Sequence, residues 1–220
     1  MIDGLSFNGL SSIFAGPTVA PPSVNTPTVS SAITTVAGES LTATAPSGVQ
    51  AGDVLVAFGF INPGLPGTPP SLPSGWTSLG TQNSISFTTA SFLAKKVATG
   101  SDAYNFAWTG ATNFGVAIFS TRSTTGTEDS GIVAAKNATS ITGNGLTSGG
   151  TNRVLLAGIG ASSNAAFTSP SGMIPAASSI GASLSLYGSY KLINSAGATQ
   201  SVVGNWGASV NASEGLALAF

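Results

Sequence analysis

The chain has 220 residues, six basic and seven acidic, so only 6% are charged against about 25% in an ordinary soluble domain. It contains no cysteine and no histidine, which excludes disulfides, thiol nucleophiles, imidazole bases and the common zinc ligand sets. A net charge of −1 leaves no electrostatic footprint for nucleic acid, and no apolar run reaches the ~18 residues of a membrane span.

Ser, Thr, Gly and Ala take the place of charge, while 42% hydrophobic residues suffice for a core. An enzyme built on this chain would be limited to carboxylates and hydroxyls. No basic n-region followed by an unbroken apolar stretch opens the sequence, so no signal peptide is expected.

Residues 1–30 read as an extended, proline-containing arm. Pro17, Pro21, Pro22 and Pro27 oppose helix and sheet interior. Ile2, Leu5, Phe7, Leu10, Ile13 and Phe14 are too apolar for a solvated tail, which points to docking on a partner.

From Ser31 to Phe220 the signals are those of strands. Asp53–Ile61 is apolar on both faces and predicts a central strand covered on both sides. Residues 84–97 alternate. Further strands are expected at 40–45, 103–108, 113–121, 131–137, 153–160, 183–193, 200–206 and 214–220, and no window predicts a helix.

The two halves, about 31–130 and 131–220, can be laid over each other. Asp53-Val-Leu-Val-Ala-Phe-Gly-Phe falls on Arg153-Val-Leu-Leu-Ala-Gly-Ile-Gly, and Pro73-Ser-Gly-Trp76 on Pro170-Ser-Gly-Met173. Phe92-Leu-Ala-Lys-Lys-Val97 falls on Tyr187-Gly-Ser-Tyr-Lys-Leu192, Trp108 on Trp206, and Gly115-Val-Ala-Ile-Phe119 on Gly215-Leu-Ala-Leu-Ala-Phe220. Five blocks in one order predict an internal pseudo-repeat. The expected fold is all-β: a jelly-roll-like two-sheet sandwich of about twelve strands, favoured over two tandem sandwiches.

Candidate chemistry is sparse. Trp76, Trp108 and Trp206 could stack sugars, but their matched positions in the repeat read as core. Tyr187 and Tyr190 fall on opposite faces of one strand. Glu128 and Asp129 read as a solvated loop tip, and Asp53 and Asp102 could meet only through folding, so no catalytic pair is assigned. A loop calcium site at Asp102 or Asp129 is the weaker reading, and no metal or cofactor is expected. Gly158-Ile-Gly160 mimics a dinucleotide fingerprint, yet no helix follows to cradle a phosphate. Asn137-Ala-Thr139 and Asn211-Ala-Ser213 match the glycosylation pattern, which matters only in a secretory pathway.

The phrases Ser47-Gly-Val-Gln-Ala-Gly-Asp-Val-Leu-Val-Ala57, Pro73-Ser-Gly-Trp-Thr-Ser-Leu79, Ala94-Lys-Lys-Val-Ala98, Tyr104-Asn-Phe-Ala-Trp108 and Gly115-Val-Ala-Ile-Phe119 carry a resemblance. Over about residues 40–220 the chain resembles a β-sandwich module of tailed-bacteriophage virion proteins and some bacterial surface proteins. The resemblance implies a non-enzymatic structural protein at the virion surface. The best fit is a capsid decoration or cement protein that docks on the major capsid protein, or another virion protein, through its arm. The alternative is a tail-tip or tail-fibre component binding host-surface glycans. Either role implies a homo-oligomer and no catalytic residue.

Overall fold

The computed structural model describes residues 27–220 except 63–68, 85–88, 101–102, 165, 182 and 199–200. The six apolar residues of the predicted arm, Ile2, Leu5, Phe7, Leu10, Ile13 and Phe14, lie outside them. The arm's expected end at residue 30 is corrected, because Thr28 already opens the first strand.

The described residues form fifteen strands and no helix. The first half supplies β1 (Thr28–Ala37), β2 (Ser40–Thr44), β3 (Val54–Ile61), β4 (Thr77–Ser84), β5 (Thr89–Val97), β6 (Ala103–Ala107) and β7 (Asn113–Arg122). The second supplies β8 (Thr127–Gly143), β9 (Thr147–Ser148), β10 (Arg153–Ala161), β11 (Phe167–Thr168), β12 (Ile174–Ile180), β13 (Ser185–Ile193), β14 (Gly197–Ala198) and β15 (Val202–Ala219). Three of these, β9, β11 and β14, are only two residues long, leaving twelve of ordinary length.

Each half builds one large antiparallel sheet. The orders are β1-β7-β3-β5-β4 and β8-β15-β10-β13-β12, the same series position for position, with β11 added beside the N-terminal part of β15. The two sheets lie face to face, β3 against β10, β5 against β15, β7 against β13, β1 against β12 and β4 against β8. That pairing is the signature of a twofold axis passing between β3 and β10. The molecule is therefore an all-β sandwich with the symmetry of a dimer, written in one chain.

Each large sheet carries a further layer on its outer face. The β2–β6 ribbon covers Leu55, Ala57, Phe92, Phe114 and Ile118 in the first half. The β9–β14 ribbon and the near ends of β8 and β15 play this part in the second, where Leu146 and Val202 pack on Leu155, Leu216 and Leu218. The result is one central sandwich, with a smaller outer layer added within each half. β3 is apolar on both faces because both are covered. Val54, Val56, Phe58 and Phe60 meet the other large sheet, and Leu55, Ala57 and Ile61 meet the ribbon side.

The registers fix the repeat at single-residue level. Val54 lies opposite Val97 and Thr121, and Val154 lies opposite Leu192 and Ala219. The Pro-Ser-Gly turns match as well: Trp76 N donates to Pro73 O (3.2 Å) and Met173 N to Pro170 O (3.1 Å). Gly75 and Gly172 both turn with positive φ, 81° and 73°, a conformation that favours glycine. A bulge follows each turn, between Ser78 and Gly80 and between Pro175 and Ala177. One block needs correction. The register sets Thr121 over Ala219, hence Ala117 over Gly215, two residues from the sequence match of Gly115 with Gly215.

Across the axis the halves complement each other by size. Phe58 and Phe60 project where the repeat has Gly158 and Gly160. A Cβ on Gly158 would lie 2.5 Å from Phe58 Cβ, and one on Gly215 would lie 2.6 Å from the same ring. Gly160 leaves the same room for Phe60, and Gly188 does so for Phe119.

Candidate functional site

The tryptophans are structural. Trp108 is fully buried, flanked by Phe92 and Phe114 with ring centroids 6.0 and 6.4 Å away. Trp76 is buried edge-on against Tyr104 (5.2 Å) and Phe106 (5.3 Å). Trp206 is buried in the second half, and its indole N–H donates to the Ala138 carbonyl (2.6 Å). The strand pair Leu41–Phe106 recurs as Ile141–Gly204, which places Trp108 and Trp206 two residues further along equivalent strands. Tyr187 packs on Phe167 on the outer face (4.4 Å) and Tyr190 joins the central interface, both half-buried. Gly158 and Gly160 lie within β10, where they accommodate aromatic rings rather than a phosphate.

Most described carboxylates have structural tasks. Asp53 is buried and bound by Arg122 (3.0 Å), the Gln50 N–H (2.9 Å) and the Ser120 hydroxyl (3.4 Å). Burial alone would raise its pKa, but these partners, Arg122 foremost, hold it below the usual carboxylate range. The repeat replaces this ion pair with a cation over a ring: Asp53 corresponds to Arg153 and Arg122 to Phe220, and the Arg153 guanidinium lies 5.1 Å from the Phe220 centroid. Glu128 and Asp129 are not a loop tip; they open β8. Glu128 pairs with Arg153 (3.2 Å), and Asp129 accepts the Ser130 and Thr147 N–H groups (both 2.8 Å). Asp102 lies outside the described residues. No group of three metal-ligating side chains occurs among the described residues.

Glu214 differs. It has no solvent exposure, and neither carboxyl oxygen finds a hydrogen-bond partner among the described residues. Burial pushes its pKa up to about 8, offset only in part by the nearby Gly143 amide. Its counterpart by register is Val116, a core residue of the first half. Gly143 leaves the space it occupies, since a Cβ there would lie 2.9 Å from Glu214 Oε2.

A cleft of ≈ 500 Å³ lies at one end of the first large sheet. It exists because β4 begins at Thr77, paired with Lys95, so β5 runs on past Lys95 with no neighbour on that side. The Pro73–Trp76 turn forms one wall and residues 125–126 of the link between the halves form the other. The link is pinned by Phe220: Gly126 N donates to Phe220 O (3.2 Å), Phe220 N to Gly126 O (3.1 Å), and Thr125 N also donates to Phe220 O. Two lysines line the cleft, projecting from opposite faces of β5 at its free edge. Lys95 Nζ donates to Thr127 Oγ1 (3.0 Å), and Lys96 Nζ lies 4.9 Å over the Tyr104 ring and 3.4 Å from Ser74 O. No carboxylate lines it among the described residues.

The lysine pair of the cleft is not repeated in the second half. Lys96 has a counterpart in Lys191, but Lys95 corresponds to Tyr190. In the sequence these lysines served only as markers of the repeat and of the resemblance. The available signal was that Lys95-Lys96 is the one adjacent pair of basic residues in the chain. Comparison with family models, curated proteins and solved structures finds no match to this chain.

Proposed function

We propose that the chain is a non-enzymatic structural protein of a bacteriophage particle, a capsid decoration or cement protein displayed at the surface and docked through its N-terminal arm. The observation that carries this reading is how the motif residues are spent. Asp53, Trp76, Trp108 and the Pro-Ser-Gly turns, on which the resemblance rests, all build packing, ion pairing or turns in a doubled sandwich. Such a scaffold is suited to rigidity and display, and most of its described carboxylates are committed to holding it together. Quantitative mass spectrometry of purified particles tests the proposal. Hundreds of copies per particle are expected, and absence from the particle would overturn it.

The cleft favours a second reading, a tail-tip or fibre component that meets a host-surface glycan. A few to a dozen copies per particle would select it over decoration.

A further inference from the structure

We infer that the cleft between the Pro73–Trp76 turn and the 123–126 link binds a polyanionic, polyhydroxylated oligomer, an acidic oligosaccharide or a polyol phosphate, gripped by Lys95 and Lys96. This deepens the second reading above, and it is tested on the isolated chain, so its failure is distinguishable from a wrong location on the particle.

The charge comes first. Two of the chain's six basic residues stand in this one cleft, with no carboxylate beside them among the described residues. Their ammonium groups are held by a hydroxyl, a carbonyl and a ring face, neutral partners that leave the positive charge uncompensated among the described residues. Hydroxyls of Ser74, Thr77, Thr99 and Thr125 line the walls and suit a polyhydroxylated ligand.

Size and surface narrow the class. A volume of ≈ 500 Å³ falls within the range of about 300–1,000 Å³ typical of small-molecule clefts and would leave a lone inorganic anion largely unsupported. Among the described residues no aromatic side chain lines the cleft, and the face of Tyr104 is taken by Lys96, so they offer a neutral sugar no stacking platform. Recognition must then come from charge and hydrogen bonds.

The site is also preformed. Phe220 pins one wall, the other is a hydrogen-bonded turn, and the floor is a strand held to β3. The second half conserves the turn and Lys191 but has Tyr190 in place of Lys95. The ligand site is therefore a local addition to the repeated scaffold rather than a by-product of it.

The test is calorimetric titration of the full chain with tetragalacturonate, with a glycerol-phosphate oligomer of equal charge, and with neutral maltotetraose. At least one tetra-anion is expected to bind with one site per chain, weakening as salt rises from about 50 to 200 mM. Binding of the uronate alone assigns carboxylate as the charge recognised, and binding of the phosphate oligomer alone assigns phosphate. Lys95→Gln should weaken binding about tenfold or more, the loss of one charge-assisted contact, while Lys136→Gln, on exposed β8 surface, leaves it unchanged. Lys96 braces a turn, so Lys96→Gln is paired with Lys96→Arg, which keeps charge and brace and should retain binding. Failure of both anions to bind, equal binding of maltotetraose, or unaltered affinity in Lys95→Gln would overturn the inference.

Discussion

A single buried carboxyl separates the two halves chemically. Where the first half has Val116, the second has Glu214, without exposure and without a partner among the described residues. Its pKa is raised from an ordinary 4.5 to about 8, so the folded chain favours the protonated form. The stability it contributes is complete below its unfolded pKa, declines as pH rises toward 8 and levels off above that. Glu214→Gln should flatten this decline and be the more stable protein at pH 8, by a few kcal/mol at most. Denaturant titrations of both proteins at pH 5 and pH 8 check it, and equal slopes against pH would refute it. Trp108→Ala should cost ~3–5 kcal/mol by leaving a large cavity among Phe92 and Phe114, read as a lower denaturant midpoint. The tryptophans were legible in the sequence because the repeat sets Trp108 on Trp206. Glu214 was not, because the last block was matched two residues out of register and the glutamate was never compared with Val116.

The strands show the same division between strong and weak signals. β3, β7 and β10 lie centrally and are covered on both faces, so their apolar runs stand out. β4 and β12 escaped detection because they are edge strands: six of the eight residues of β4 are polar, and β12 carries Pro175 beside a bulge, where an edge tolerates it. β8 was expected only as a short strand at 131–137, and β15 as two separate ones at 200–206 and 214–220. They are continuous, because register shifts between Asn205 and Val210 and between Val210 and Ala212 bend the ladder without ending it. The paired sizes along β3 and β10 give a prediction at this scale. Gly158→Val would press on the immobile base of Phe58 and should cost about 3 kcal/mol, near the upper end of overpacking penalties. Adding Phe58→Ala should recover part of that loss, so the double variant should be less destabilised than the sum of the singles. Additive losses in thermal melts would show that the two positions do not meet.

For the whole molecule, the strand class and the doubling were legible, since five ordered blocks constrain a topology even when their registers slip. Which sheet each half would build was not, because short Ser/Thr/Gly-rich strands carry no label for their partners. The cleft was equally hidden: it depends on where β4 starts and on the link being tied to Phe220, neither of which leaves a local pattern. Truncation tests the division of labour between arm and module. Removing residues 1–26, which leaves β1 whole, should not shift the melting temperature of the module. It should abolish incorporation into the particle, checked by co-sedimentation. Incorporation at the full-length level would move the docking surface onto the sandwich.

The size complementarity at the axis has a consequence for dilution. Two copies of the first half, arranged as the halves are here, would drive Phe58 into Phe58; two copies of the second would set Gly158 against Gly158 and leave a hole. Neither half can replace the other, so the pairing requires one of each. A separate pair of subunits would come apart when the surrounding concentration fell below its dissociation constant. Covalent linkage instead fixes the effective concentration of one half around the other, at the millimolar level typical of short linkers, however dilute the chain becomes. The pairing of the two halves therefore does not depend on how dilute the protein is.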